Sequence, residues 1–214
     1  MARKRLSQPP RKTILLVTAS EIESLYFSQM RKDCRYSNMT VEHQSTFKDL
    51  HNLINIAARK RNAGNFSSVW LVFGLADLGV SPQDIRAELE HSKKKRVNLA
   101  WNNPGLPLWF YLHLQEPKAF VRDLDAINSA LSKAIDNYRY DSEYFLNEGA
   151  DLHLRLYSAK SKAAVNGAMY NERTRAEAGL EPTAMVALLN DITEICGLAD
   201  LSHNQKQLGM KKSL

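Results

Sequence analysis

The chain is poor in residues that would tie it together through sulfur or a metal. Its 214 residues include two cysteines, Cys34 and Cys196, far apart and in no CxxC pair. Structural zinc sites need clustered ligands and disulfide frameworks need several spaced cysteines, so neither is expected to organise the fold. Cys34 follows the charged Arg31-Lys32-Asp33 and is expected to be partly exposed; Cys196, in an apolar helix end, is expected in the core. Long hydrophobic runs are missing too, and none approaches the roughly 20 residues that span a bilayer. The basic N-terminus leads into Gln8-Pro9-Pro10 rather than an apolar signal core, which points to a reducing, cytoplasmic location and no membrane. The most informative shortage is of acid. Val69 to Phe73 reads as a buried strand, and the turn after it is Gly74-Leu75-Ala76, with the first carboxylate at Asp77. Open α/β sheets gather their ligands at the carboxyl ends of strands. This loop, where chemistry is expected, is built almost without carboxylates.

What is present suits an ordinary globular protein. The chain is long enough for one α/β domain, or one domain with a small helical lobe. The net charge of +6 permits contact with nucleic acid or another polyanion. The charge is concentrated in Arg3-Lys4-Arg5, Arg11-Lys12, Lys93-Lys94-Lys95-Arg96 and Lys211-Lys212. Arg11, Lys12, Lys93, Lys94, Lys95 and Arg96 are the candidate nucleic-acid contacts. The plainer account is a solvated helix end and solubilising tails, and no aromatic residues interleave these runs as single-strand stacking would require.

The elements alternate. Residues 1–11 form a basic arm. Thr13 to Val17 is a short apolar run of the kind found in a central parallel strand. Ser20 with Glu23 makes a capping box for a helix whose apolar face is Leu25, Tyr26, Met30 and Cys34. Met39 to His43 alternates as a second strand. Phe47, Leu50, Leu53, Ile54 and Ala57-Ala58 then recur at helical spacing, with Gly64 as the stop. Ser68 to Phe73 is the third strand, and Ser81-Pro82 opens a helix that Lys93 to Arg96 closes with the charge its dipole prefers. Val97 to Trp101 is a fourth strand, and Leu106 to Leu114 a very apolar helix. This order predicts parallel strands joined by helical crossovers. From Glu116 the pattern turns helical: Phe120, Leu124, Ile127, Leu131 and Ile135 share one face, an Ala-rich helix covers about Tyr157 to Ala178, and Glu181-Pro182-Thr183 opens a last helix that Gly197 ends. The expected division is 1–11 arm, 12–116 α/β core, 117–197 helical part and 198–214 tail.

Several short stretches resemble the RloB family, small Toprim-like proteins of antiphage or restriction-associated loci, often encoded beside an ATPase called RloA. The family's Cys-Glu-Gly-x-Thr-Glu-x-x-Tyr-Phe segment is similar to Thr18-Ala19-Ser20-Glu21-Ile22-Glu23-Ser24-Leu25-Tyr26-Phe27, with matches at Glu23, Tyr26 and Phe27. Its Asp-x-Asp turn falls on Gly74 and Ala76. Its Ser-Asn-Pro-x-Phe-Glu-Leu-Trp-x-x-x-His segment resembles Asn102 to His113, matching Asn103, Pro104, Leu108, Trp109 and His113, with Pro107 in place of the glutamate. Glu181 to Leu189 resembles the family's Pro-Ser-Thr-x-Val-x-x-Leu-Leu. The resemblance runs from about Arg11 to Ile195. It implies an α/β, Toprim-like fold: about four parallel strands flanked by helices, with a C-terminal helical extension.

The resemblance also implies what is gone. Toprim chemistry uses Mg²⁺, a hard cation held by carboxylate oxygens, with a carboxylate to move the proton. Ala19, Gly74, Ala76 and Pro107 supply neither. The first expectation is therefore a catalytically degenerate subunit of an abortive-infection type defence system. It would have no cofactor, and would bind an RloA-like ATPase, another defence subunit, or DNA or RNA. Tyr138, Tyr140, Tyr144 and Phe145 are its candidate contact surface. The alternative is an active Mg²⁺- or Mn²⁺-dependent nuclease with a site rebuilt from Glu21, Glu23, Asp77 and His113. Each of these has a plainer role: Glu23 as an exposed or capping glutamate, Asp77 as a turn residue, His113 as a framework histidine. Trp70, Trp101 and Trp109 are simplest as core or pocket walls. A third option is self-assembly, the fold serving as a building block of a homo-oligomer.

Overall fold

The computed structural model describes residues 11–197; most of the basic arm and the tail from residue 198 lie outside the described residues. Four strands, β1 (Ile14–Thr18), β2 (Met39–His43), β3 (Ser68–Gly74) and β4 (Asn98–Asn102), form one sheet in the order β2-β1-β3-β4. All pairings are parallel, with Ile14 opposite Met39 on one side and Ser68 on the other, and Trp70 opposite Asn98. Every residue of β1 is buried, as a continuous apolar run between two covered faces requires.

Side-chain alternation splits the sheet between two cores. Leu15, Val17, Leu71, Phe73 and Leu99 face a thin layer made by α2 (Leu50–Gly64), the single turn α3 (Leu75–Leu78) and α4 (Pro82–Lys95). Ile14, Leu16, Trp70, Val72 and Ala100 face a thicker layer. There α1 (Glu21–Asp33) lies against the sheet beside α5 (Pro107–Leu114). Around them stand α6 (Leu124–Ala134), α7 (Ser142–Leu146), α8 (Leu152–Tyr157), α9 (Lys160–Ala178) and α10 (Met185–Cys196). Strand residues and residues of these later helices belong to one continuous core.

The end signals act where the sequence puts them, with one shift. Ser20–Glu23 and Ser81–Asp84 both close as capping boxes. The left-handed residue that ends α2 is Asn65 (φ 50°), not Gly64, because asparagine tolerates that conformation and the helix continues through the glycine. Ser81→Ala should cost about 1 kcal/mol, lowering the melting midpoint by about 2–4 °C in thermal unfolding.

Two surface expectations are corrected. Cys34 is 2% exposed and Cys196 only half-buried, the reverse of the order expected from their neighbours. Cys34 caps the C-terminus of α1 and turns inward toward His153, whereas Arg31 and Lys32 before it are exposed. Nor do Tyr138, Tyr144 and Phe145 form a contact surface, because all three are buried. They pack against one another and Phe110, and through it Tyr26: ring centres are 5.5 Å apart for the edge-on pair Tyr138 and Tyr144, and 5.9 Å and 5.0 Å for the tilted pairs Phe110–Phe145 and Tyr26–Phe110. Two turns fold the polar, aromatic break from Tyr138 to Tyr144 back onto α1 and α5, which no local pattern of aromatics reveals.

The segment before α10 is a strap over the outer strand. Asn103 N–H donates to Pro182 O (2.8 Å), Ala184 N–H to Trp101 O (2.9 Å), and the Thr183 hydroxyl to Asn102 Oδ1 (2.8 Å). The Trp101 indole N–H reaches Glu181 O at 2.7 Å. The strap covers an edge that would otherwise offer unpaired backbone groups.

Candidate functional site at the carboxyl ends of β1 and β3

In the order β2-β1-β3-β4 the chain leaves β1 toward one edge of the sheet and β3 toward the other. The crevice at their carboxyl ends is the topological switch point, where open α/β sheets bind their ligands. Its walls are the Ala19-Ser20 turn, the Gly74-to-Asp77 segment and the loop after β4. Ala19 N–H donates to Val72 O (3.0 Å) and Ala76 N–H to Pro104 O (2.9 Å), so the three loops are tied together. The Asn103–Pro104 peptide is cis.

Glu23 and Asp77 face one another here. Glu23 is 0% exposed. Its Oε2 accepts the Ser20 N–H at 3.0 Å, and its Oε1 has no partner. Burial pushes its carboxyl up to about 8, with the nearby Asp77 adding to the rise and the Ser20 hydrogen bonds opposing it. At neutral pH Glu23 is a neutral acid. The cap is therefore as expected, but the exposure is not. Asp77 lies on an exposed single turn, yet its carboxylate folds back over Gly74 and Gly105 and lies 3.4 Å from the Tyr140 hydroxyl. Enclosure raises its carboxyl above the ordinary range, and the Tyr140 contact works the other way. Tyr140, beside both acids, has its own hydroxyl held strongly in the protonated form by burial and by their charge. Sequence reasoning missed it as a site residue; it lies 63 positions from Asp77, and the polar break around it was its one signal.

Residues 14–196 match a family model described as RloB-like protein. The chain belongs to the RloB-like family. No curated protein and no solved structure matches it. The parallel four-stranded sheet with helices on both faces is the α/β, Toprim-like fold expected for an RloB-like protein.

Set against the RloB-like pattern, the crevice does not fit Mg²⁺. Ala19, Gly74 and Ala76 line it without a carboxylate, and Pro107 opens α5 as its first residue, at the position that the resemblance sets against a glutamate. Glu23 is taken up by the cap, with Oε2 on the Ser20 N–H and Oε1 buried. Asp77 alone is left, with its oxygen folded into the place where an aspartate at position 74 would project. Glu21 does not turn inward: its Oε2 accepts the Ser142 hydroxyl at 2.6 Å on the surface.

His113 stands elsewhere. Its Nδ1 hydrogen-bonds Trp109 O at 2.9 Å, burial pushes it down to about 4, and it lines an enclosed cavity with Tyr26, Cys34, Trp109 and His153. In that cavity Cys34 Sγ lies 3.3 Å from His153 Nε2. The pair is no nucleophile: burial drives the thiol up to about 11 and the imidazole down to about 4, so both stay neutral.

The candidate basic contacts do not share one surface. Arg11 hydrogen-bonds Ser37, and Lys12 pairs with Glu194 at 3.0 Å, both exposed. Lys94 and Lys95 line a hollow with Arg59 and Arg61 of α2. Lys93 faces the other side of α4, toward Trp101, and Arg96 ends that helix in the left-handed region (φ 54°). Arg61 ties the two helix ends by donating to Lys95 O (2.8 Å) and Arg96 O (3.3 Å). The partnership with Arg59 and Arg61 arises because α2 and α4 lie side by side on one face; the run Arg59-Lys60-Arg61 was its only trace in the sequence.

Proposed function

We propose that the chain is a non-catalytic, cytoplasmic RloB-like subunit of an antiphage, abortive-infection type system. It acts by binding, and catalysis belongs to a partner such as an RloA-like ATPase. The observation that carries this is the state of the crevice: one buried, protonated glutamate and one aspartate folded into the space of the missing one. The hollow formed by Arg59, Arg61, Lys94 and Lys95 supports nucleic acid as the bound polyanion, because four cations converge with no carboxylate among the lining residues. Among the described residues no helix is long and apolar enough to cross a membrane.

Titrating Mg²⁺ and Mn²⁺ into the pure protein, with DNA and RNA cleavage run in parallel, tests the first half. No saturable binding and no cleavage are expected; cleavage that disappears in Asp77→Ala would replace this proposal with the metal-dependent nuclease. Binding of a labelled duplex or single strand tests the second half. Affinity should fall with salt, and Lys94→Glu with Lys95→Glu should weaken it. On a duplex the log–log salt slope should flatten by about 0.9 for each phosphate that is no longer neutralised. An unchanged affinity would move the search to a pull-down with the partner ATPase.

A further inference from the structure

We infer that His51, Glu88 and His91 form a binding site for a borderline transition-metal ion, Zn²⁺ or its close analogues, on the face of the sheet away from the helical extension. His51 lies in the first turn of α2; Glu88 and His91 lie three residues apart on α4, which places them on one face of that helix. One ligand atom from each of the three lies within 4.8 Å of the others. His51 Nδ1 is 3.0 Å from Glu88 Oε2, and the two imidazole rings stack at 3.9 Å between centres with 21° between planes. Around a tetrahedral ion with bonds of about 2.0–2.1 Å, ligand atoms stand roughly 3.3 Å apart, so one imidazole must turn out of the stack to aim its nitrogen at the ion, which the exposed His51 and half-buried His91 side chains allow.

The chemistry favours a metal over a mere ion pair. Two imidazoles and one carboxylate are the donor set that suits zinc, with a fourth position left for water. Asn55 Oδ1 lies 3.2 Å from His91 Nε2 and orients the ring from outside, as outer-shell partners of metal-bound histidines do. The ion would replace the 3.0 Å contact between His51 Nδ1 and Glu88 Oε2. Lys94 and Lys95 are the neighbouring cations that oppose it, and both are exposed and free to turn away. The site shares no residue with the Glu23–Asp77 crevice and borders the basic hollow through Asn55, Lys94 and Lys95, so the metal titrations are run without nucleic acid.

The test uses the untagged full chain. Zn²⁺ affinity is measured by titration calorimetry and Co²⁺ by its visible absorption, for the parent and for His51→Gln, Glu88→Gln, His91→Gln and the control His43→Gln. One ion per chain at micromolar affinity is expected, with intense tetrahedral-type Co²⁺ bands. Each of the first three substitutions should weaken binding at least about 10-fold, and His43→Gln should not. Their metal-free melting curves, unchanged from the parent's, would show that the fold is intact. Zn²⁺ binding weaker than about 1 mM, or binding that survives His91→Gln, would overturn the site.

Discussion

At pH 9 Glu23→Gln should be more stable than the parent by several kcal/mol, while at pH 4 the two should unfold at nearly the same denaturant concentration. Glu23 keeps its proton up to about 8 in the folded chain against 4.5 in the unfolded one. Between those values the unfolded chain has released a proton that the folded chain retains, so the parent loses stability as the pH rises and levels off above about 8. A gap of this size corresponds to an upper limit on the order of 5 kcal/mol. Glutamine cannot ionise, yet its side-chain oxygen still accepts the Ser20 N–H, so the cap survives. His113 and His153, both pushed down to about 4, act with the opposite sign: their contribution is lost as the pH falls from the ordinary histidine range toward 4. They are common to both proteins and cancel in the difference. Urea unfolding across pH 4 to 9 decides the matter. Parallel curves would mean that Glu23 is already ionised at neutral pH, which would return a carboxylate to the crevice and remove the main support for the non-catalytic function.

Gly74→Asp, which places an aspartate where the resemblance expects one, should destabilise the protein by about 2 kcal/mol rather than create a metal site. The backbone there is extended (φ −86°, ψ 140°) and accepts any residue, so the obstacle is packing alone. A Cβ at position 74 would overlap Asp77 Oδ2 and stand 3.0 Å from Gly105 Cα. Asp77 must swing out, giving up the Tyr140 hydroxyl and meeting a second carboxylate. In an Asp77→Ala background the same change should cost less than half as much, leaving only the approach to Gly105. A double-mutant cycle by denaturant unfolding reads this coupling directly. Equal costs in both backgrounds would show that Asp77 does not occupy the vacated space. Mg²⁺ affinity gained by Gly74→Asp alone would show that the crevice needs a single acid to work.

Much of the scaffold is legible residue by residue. Thr13 to Val17, Met39 to His43, Ser68 to Phe73 and Val97 to Trp101 each lie within one residue of an observed strand. Ser20–Glu23 and Ser81-Pro82 mark the helix starts they cap. These signals are local: an apolar run, a hydroxyl three residues before an acid, a proline at the first helical position. The apolar face of Phe120 to Ile135 predicts a helix one turn longer than the one that forms, since Asp123 caps the helix and Phe120 precedes it. The absence of acids at Ala19, Gly74 and Ala76 is equally plain, being a matter of composition at a predicted strand end.

What the sequence determined by itself was therefore the order and ends of the elements, the parallel sheet, and the chemistry missing from its carboxyl edge. Only the tertiary structure decided the state of the groups that remain. Glu23 is written as a helix-capping glutamate and becomes a protonated one because α1 is pressed onto the sheet and Asp77 is turned toward it from another loop. Tyr138, Tyr144 and Phe145 become core because two turns return them to α1 and α5. His51 meets Glu88 and His91 across 37 and 40 positions because two parallel crossovers set α2 beside α4. Periodicity and capping depend on neighbours within one helical turn, whereas desolvation and charge coupling depend on whatever the fold brings within a few ångströms.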